Sequence, residues 1–354
     1  MHTQYAKIMI IIACTLMFYY VIQRFFTIFN SNNHKWIALV IAIIIAVISW
    51  LSILYSWWNK FIDIMWTISS RIFVLWFLLF IFFIIENIIS TRYKINPRII
   101  LNIIIITLWL WIFFSLKTKI TNLEIQSDKI TKDTKILLIS DIHVDHILST
   151  FHIKKIQKAI KKYDVDFVLI AWDLLNKPNP DYVPSYSILS WNEYPPILAI
   201  VWNHDSMRDT EIVQKISDIS NVKILNNETM NINWIQIVWI IDKSIWWNRS
   251  LNDNMDSTKM DTENNLFTIL LTHQPISLEK LQEYPIDLEV AGHTHRWQFY
   301  WMRKVVERAN DYAYWEYKLW EKTAFVTQWI GTWWLPFRLW TQSEMVIINL
   351  KKTK

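Results

Sequence analysis

Two glycines in 354 residues leave this chain almost no residue suited to a left-handed turn or to close backbone approach. Average usage, about 7%, predicts roughly 25 glycines in a chain of this length. The chain instead carries 23 tryptophans, and its glycines and tryptophans together reach that number. Tryptophan occurs as doublets in polar, loop-like stretches, Trp57-Trp58, Trp246-Trp247 and Trp333-Trp334, where a loop needs positive φ rather than bulk. The composition implies that most of these tryptophans stand where the native polypeptide has glycine. A gene that uses UGA for Gly, translated with UGA as Trp, would give this pattern. A Trp-rich membrane protein is the alternative, since interfacial belts favour Trp. Trp172 and Trp202, however, lie far from any apolar run of membrane length.

Such runs do exist at the N-terminal end. Residues 8–29, 36–58, 68–90 and 97–116 are long apolar stretches, each close to the ~20 residues a membrane-crossing helix needs. The hydrophobic fraction of 53% and mean hydropathy of +0.18 agree with that reading. The first run is interrupted by Gln23 and Arg24, yet no small-residue cleavage site follows it, which argues against a signal peptide. Glu86, the one acid inside a run, is expected to reach the interface near the run's end. Without a central charged pair, a transporter reading is weak. Four spans would place the N-terminus and residue 117 onward on one side. That side carries eight flanking Lys and Arg against five on the other, which leans toward a cytoplasmic position for the rest of the chain. The net charge of +5 is scattered rather than clustered, which argues against a nucleic-acid groove. The single Cys14 excludes a disulfide framework and a cysteine metal site.

After a polar connector at 117–134 the pattern changes to short strand-like runs alternating with amphipathic, Lys-rich stretches, as in an α/β domain over 135–354. Strands are expected at 135–140, 166–171, 196–201, 266–272 and 287–291. The spacing of Ile153, Ile156 and Ile160 predicts a helix over 151–163. The polar insert 242–265 reads as a mobile loop. No internal repeat is visible.

Every one of the five strands ends in a residue that holds metals or moves protons. The first ends at Asp141 and His143, the second at Asp173, and the third at Asn203, His204 and Asp205. The fourth ends at His273, and the fifth at His293 and His295. Open α/β sheets bind ligands at the carboxyl ends of their strands. One such residue would carry no weight, but five in sequence do not arise easily from packing, which would scatter histidines as it does His34, His146 and His152. Carboxylates, imidazoles and one amide suit Mn, Fe or Zn better than Ca or Mg. Seven donors exceed what one ion needs but suffice for two ions sharing a carboxylate, with Asp173 the natural bridge. Two metals roughly 3.5–4 Å apart can activate water and clamp the attacking and leaving oxygens of a phosphoryl transfer.

The motifs D-I-H (141–143), W-D (172–173), W-N-H-D (202–205), a lone His273 and G-H-T-H (292–295) resemble those of the calcineurin-like metallophosphoesterases. The mismatches are Trp172 and Trp202, both where that family has glycine. The tail 326–340 also looks like the Gly-rich closing segment of the family's membrane-associated branch, which includes UDP-diacylglucosamine pyrophosphatases. The resemblance covers about 135–350 and leaves out the apolar runs. It implies an αββα sandwich of two facing mixed sheets behind an N-terminal α-helical transmembrane bundle. One metal would be held by Asp141, His143, Asp173 and His295, the other by Asp173, Asn203, His273 and His293. His204 would face the substrate phosphate as general acid or charge stabiliser, oriented by Asp205. Arg296 and Arg338 could meet phosphate, although surface roles are the plainer reading.

The function expected is a membrane-anchored phosphohydrolase acting on a phosphorylated small molecule or a lipid-borne phosphoester or pyrophosphate. One alternative is a phosphodiesterase or phosphatase for soluble substrates, merely tethered to the bilayer. A non-catalytic scaffold or sensor with a spent domain is disfavoured, because all seven donors are present.

Overall fold

A computed structural model describes residues 14–24, 26–27, 42, 76–77, 79–93, 96–144, 149–171, 174–175, 180–190, 194–200, 210–225, 228–240, 250–261, 265–294, 303–331, 338 and 341–353. Apart from Ala42, the second apolar run lies outside the described residues, as do the site residues Asp173, Asn203, His204, Asp205 and His295 and also Arg296, Trp172 and Trp202. The chain divides into two compact units, Met1–Trp111 and Ile112–Trp333 with Phe337–Lys354.

In the first unit, residues 14–24 and 79–90 are helical. Their contacts run in ascending order along both segments. Phe18 meets Trp76 edge to face at 5.6 Å, Tyr20 meets Phe80 at 5.4 Å and donates to the Phe83 carbonyl (3.2 Å), and Arg24 pairs with Glu86. The two segments are therefore parallel. The expectation for Glu86 is corrected by this pairing: it is 3% exposed and bound to Arg24 rather than reaching an interface. Burying a lone carboxylate between apolar helices is costly, and the guanidinium offsets that cost. Among the described residues no helix is long and apolar enough to cross a membrane.

The second unit is built on two six-stranded mixed sheets. The strands of the first sheet are β1 (Thr118–Ser127), β2 (Thr134–Ser140), β3 (Phe167–Ala171), β4 (Ile197–Ile200), β5 (Val222–Leu225) and β12 (Ser343–Lys352), in the order β1-β12-β2-β3-β4-β5. The second sheet holds β6 (Thr229–Ile232), β7 (Ile235–Trp239), β8 (Phe267–Thr272), β9 (Leu288–Ala291), β10 (Trp315–Leu319) and β11 (Lys322–Val326), ordered β10-β11-β9-β8-β7-β6. The five expected strands appear as β2, β3, β4, β8 and β9, each within a residue or so at either end. β2 to β5 are mutually parallel, as are β7 to β9 and β11. Strands buried on both faces read as unbroken apolar runs, as in FVLIA of β3 and FTILLT of β8.

Alternate residues of these strands serve two layers. Leu138, Leu169 and Leu198 of the first sheet meet Ile269, Leu271 and Val290 of the second in the core between the sheets. Leu137, Ile139, Val168 and Ile170 point the other way, onto Ile153, Ile156 and Ile160 of helix Ser149–Tyr163 and onto Ile212 and Ile216 of helix Thr210–Ile219. The opposite face of the second sheet is covered by Met255, Leu278 and Leu281. The α/β layers expected for this domain are present.

Two segments differ from the sequence expectation. Residues 118–127, read as part of a polar connector, form edge strand β1, whose Thr121, Leu123 and Ile125 are buried while the intervening residues are exposed. The insert read as a mobile loop carries helix Leu251–Ser257. A reciprocal capping box starts that helix: Asp253 N donates to Ser250 Oγ (3.2 Å) and Ser250 N to Asp253 Oδ2 (2.7 Å).

Tryptophan occupies the turn positions that the composition brought into question. Trp315, Trp320 and Trp329 have φ of 82°, 53° and 75°, a left-handed region that costs a residue with a Cβ roughly 1–2 kcal/mol. Trp320 opens the two-residue turn between β10 and β11. Asn233 and Trp234 form the two-residue turn between β6 and β7, where Asn-Gly is the strongest short hairpin signal.

Candidate metal centre

The carboxyl ends of strands from both sheets meet around Asp141. β2 delivers Asp141 and His143, 0% and 7% exposed, with His143 Nε2 at 3.9 Å from Asp141 Oδ1. From the second sheet, β8 delivers His273 and β9 delivers His293, with His293 Nδ1 at 2.8 Å from His273 Nε2 and ring centroids 4.6 Å apart. Gly292 joins the two groups. Its amide donates to the His273 carbonyl (3.1 Å), and its Cα lies so close to Ser140 and the Asp141 carboxylate that a Cβ there would overlap both. The second glycine, Gly331, lies against the backbone of Asp141. Its amide donates to Asp141 O (3.0 Å), and a Cβ would overlap the carbonyls of Asp141 and Ile142. Both glycines of the chain thus lie where a backbone must pass against this one residue.

Asp141, His143 and His293 adopt φ of 51°, 47° and 61°. Residues with side chains held in this region cost of order 1–3 kcal/mol each and persist where the surroundings over-determine them, often at functional sites. The surroundings here are explicit. Ile330 N donates to Ser140 O (3.2 Å), flanking Asp141 from the same side as Gly331. Val144 N donates to Leu174 O (3.0 Å), tying the chain after His143 to the neighbour of Asp173. Ser140 Oγ donates to Ala171 O (2.7 Å) at the end of β3 and contacts the Asp141 carboxylate.

Sequence reasoning missed the buried polar groups behind the site. Glu289, fully buried on β9, accepts from Thr272 Oγ1 (2.9 Å) and Ile276 N (2.7 Å), fixing the chain on either side of His273. Glu344, fully buried on β12, accepts from Tyr314 OH (3.2 Å), Thr327 Oγ1 (3.2 Å), Gln328 N (3.0 Å) and Thr121 Oγ1 (2.5 Å). The available signal was a carboxylate inside an otherwise apolar strand, LEVA for Glu289 and MVII flanking Glu344. Arg338 is also fully buried, which removes both the surface role and the phosphate contact expected for it. Burial lowers its pKa to about 10, while Glu344 and Asp141 pull it upward, so it stays charged at neutral pH.

The donors suit a divalent cation: a buried carboxylate–imidazole pair and a part-buried imidazole–imidazole pair, at the ends of strands from the two sheets. Among the described residues no group of three or more His, Cys, Asp or Glu is assembled that could hold a metal ion.

Residues 134–297 match the family model of the calcineurin-like phosphoesterases. Over this segment the chain is similar to the calcineurin-like phosphoesterases. The chain is also similar to an uncharacterized metallophosphoesterase of Helicobacter pylori, 28% identical over 66% of this chain and 64% of that protein. The metallophosphoesterase Cj0846 of Campylobacter jejuni is 26% identical over 74% of this chain and 72% of its own length. For YkuE of Bacillus subtilis the values are 25%, 62% and 79%. The matched residues span β2 to β9 and every described donor, whereas β1, β10 to β12 and the tail around Arg338 lie outside them.

Proposed function

We propose that the protein is a membrane-anchored phosphohydrolase that uses two divalent ions (Mn, Fe or Zn) to cleave a phosphoester or pyrophosphate bond, with a lipid-linked phosphate as the substrate class. The observation that carries this reading is the placement of two pairs, Asp141 with His143 and His273 with His293, at strand ends within the residues that match the phosphoesterases, with Gly292 between His273 and His293 packed against the Asp141 carboxylate. In this reading Asp141, His143, Asp173 and His295 hold one ion, and Asp173, Asn203, His273 and His293 the other. When bound, such a pair supplies charge stabilisation at the phosphoryl oxygens and activates water. The chain's own residues do the rest. Asp141 and His293 are held in left-handed backbone, and Glu289 fixes the chain on either side of His273. His204 donates a proton to the leaving oxygen, and Asp205 orients its imidazole.

Anchoring is supported by the first unit. Ile99, Ile103, Ile105, Ile106 and Trp109 of helix Pro97–Leu116 are all more than half exposed or at half exposure. A contiguous apolar surface of this kind needs a partner or a bilayer. The parallel helices at 14–24 and 79–90 support a first run that crosses in the same direction as the third. On that count the catalytic domain lies on the N-terminal side, which the Lys and Arg distribution makes cytoplasmic.

The test is metal content and hydrolysis of a chromogenic phosphodiester by the full-length protein in detergent, then of a phospholipid in vesicles. Asp173→Ala and Asn203→Ala are expected to abolish both activities, and full activity in either variant would refute the metal mechanism. Equal preference for soluble and bilayer substrates would reduce the membrane to a tether. The same reading assigns glycine to positions 172 and 202 of the native polypeptide, supported by the left-handed Trp315, Trp320 and Trp329. Peptide mass spectrometry of the protein from its own host decides that point, and tryptophan found at both sites ends it.

A further inference from the structure

The tail after β11 returns to the metal centre without supplying a donor to it. Its contacts with Asp141 are through the backbone: Ile330 N donates to Ser140 O (3.2 Å) and Gly331 N to Asp141 O (3.0 Å). Those two bonds secure the peptide groups on either side of a residue held at φ 51°. Both are themselves braced from behind. Arg338 Nη2 donates to Trp329 O (3.4 Å) and Gly331 O (2.7 Å), and Nη1 donates to Gln342 O (3.3 Å). The Trp329 carbonyl and the Ile330 amide belong to one peptide plane. Arg338 pulls on one end of that plane and Ser140 on the other. Glu344 N also donates to Trp329 O, and the Glu344 carboxylate holds Gln328 N, so the charged pair of Arg338 and Glu344 pins the segment 328–331. A rigid guanidinium suits this task because Nη2 bridges the carbonyls of Trp329 and Gly331 while Nη1, fixed in the same plane, holds Gln342 O, an arrangement that a single ammonium cannot reproduce.

We propose that Arg338 is a positioning residue for the first metal ligand: its guanidinium fixes the carbonyls of Trp329 and Gly331, and through their amide neighbours it keeps Asp141 in the strained conformation that aims its carboxylate. This rests on the reading of Asp141 as a ligand. Groups that orient a ligand from behind typically govern metal affinity by about 10–100-fold. They do so without touching substrate.

The experiment is titration of the metal-stripped full-length protein in detergent with Mn2+, following free Mn2+ by electron paramagnetic resonance with no substrate present. Turnover at saturating Mn2+ is measured separately. Arg338→Met is expected to weaken Mn2+ binding at least ~10-fold, with a much smaller loss of turnover once metal is saturating. Arg338→Lys should fall between, and it decides the matter if Arg338→Met does not fold. Ile347→Ala, a cavity variant on β12 remote from the carbonyls, controls for general destabilisation and should bind Mn2+ as the wild type does. Wild-type affinity in a folded Arg338→Met or Arg338→Lys overturns the positioning role. An equal loss in Ile347→Ala overturns it too. Wild-type protein that binds no Mn2+, or an Asp141→Asn variant that binds it normally, sinks the ligand reading instead.

Discussion

Replacing Trp320 separates backbone strain from everything else a tryptophan does. Trp320 opens the two-residue turn joining Leu319 to Lys322, with φ 53° and 58% of its surface exposed. Comparing Trp320→Ala with Trp320→Gly is cleaner than comparing either with the starting chain, because both remove the whole indole. At an ordinary position glycine is worse than alanine by about 0.5–1 kcal/mol, the cost of ordering a freer chain. At φ 53° alanine carries a left-handed penalty of about 1–2 kcal/mol that glycine escapes. The penalty exceeds the entropy cost, so the order inverts: Trp320→Gly is expected to be more stable than Trp320→Ala by about 0.5–1 kcal/mol. For a unit of this size that is roughly 1–4 °C in melting temperature. Lys161, exposed on helix Ser149–Tyr163, is the control, where alanine should win by about 1 kcal/mol. Thermal unfolding of the four variants reads both signs in one experiment. Alanine equal to or better than glycine at 320 would refute the left-handed assignment and weaken the case for glycine in the native chain.

Gly331→Ala would drive a Cβ into the carbonyls of Asp141 and Ile142; it should cost about 1–3 kcal/mol and lose Mn2+ binding, both readable by thermal shift with and without metal. Glu289→Leu leaves Thr272 Oγ1 and Ile276 N without their acceptor, and about 1–3 kcal/mol of stability should go with it. Lys155, whose ammonium donates to Thr118 Oγ1 (2.6 Å), has its pKa lowered to about 8 by burial. The unfolded chain, titrating near 10.5, therefore holds this proton over a range where the folded chain has released it. Stability relative to Lys155→Met should rise between pH 8 and 10.5 and be flat below; a difference that does not change over that interval would contradict the burial effect.

How much of this was legible in the sequence follows from which signals survive the loss of glycine. The strands that deliver ligands were readable because an unbroken apolar run followed by Asp or His is a local pattern, as in KILLISDIH and FTILLTH. The hairpins were not. β6–β7 and β10–β11 are closed by Asn233-Trp234 and Trp320-Glu321, and a reader who sees Trp at a turn loses the Asn-Gly and Gly-x signals that would announce it. β1 hid for a different reason. As an edge strand it buries only alternate residues, and ITNLEIQ carries more polar residues than apolar ones. The helix in the polar insert was announced by S-x-x-D at 250–253, but the absence of an apolar stripe overrode that signal. Arg24 with Glu86 is a long-range pair, and no local rule connects residues 62 apart or decides that a lone arginine in a tail, Arg338, will be buried.

The two glycines that remain identify where the domain can least tolerate a side chain. Gly292 packs against the side chains of Ser140 and Asp141 and Gly331 against the backbone carbonyls of Asp141 and Ile142, so a Cβ at either would displace Asp141 or its neighbours. The tryptophans show the complementary behaviour. At 315 and 320 the ring is exposed, so only the backbone penalty is felt. Trp329 is different: it is fully buried, takes φ 75°, and lays its ring 5.5 Å from that of His143. Bulk at this position stands beside a candidate ligand and on the peptide plane that Arg338 braces. The fold absorbs tryptophan at turns because sheets and helices around them are over-determined by hundreds of square ångströms of apolar contact. The metal centre has no such reserve, since its geometry depends on a few hydrogen bonds around one strained aspartate. Substituting tryptophan for glycine through this chain should therefore leave the two-sheet architecture in place and fall hardest on ligand geometry.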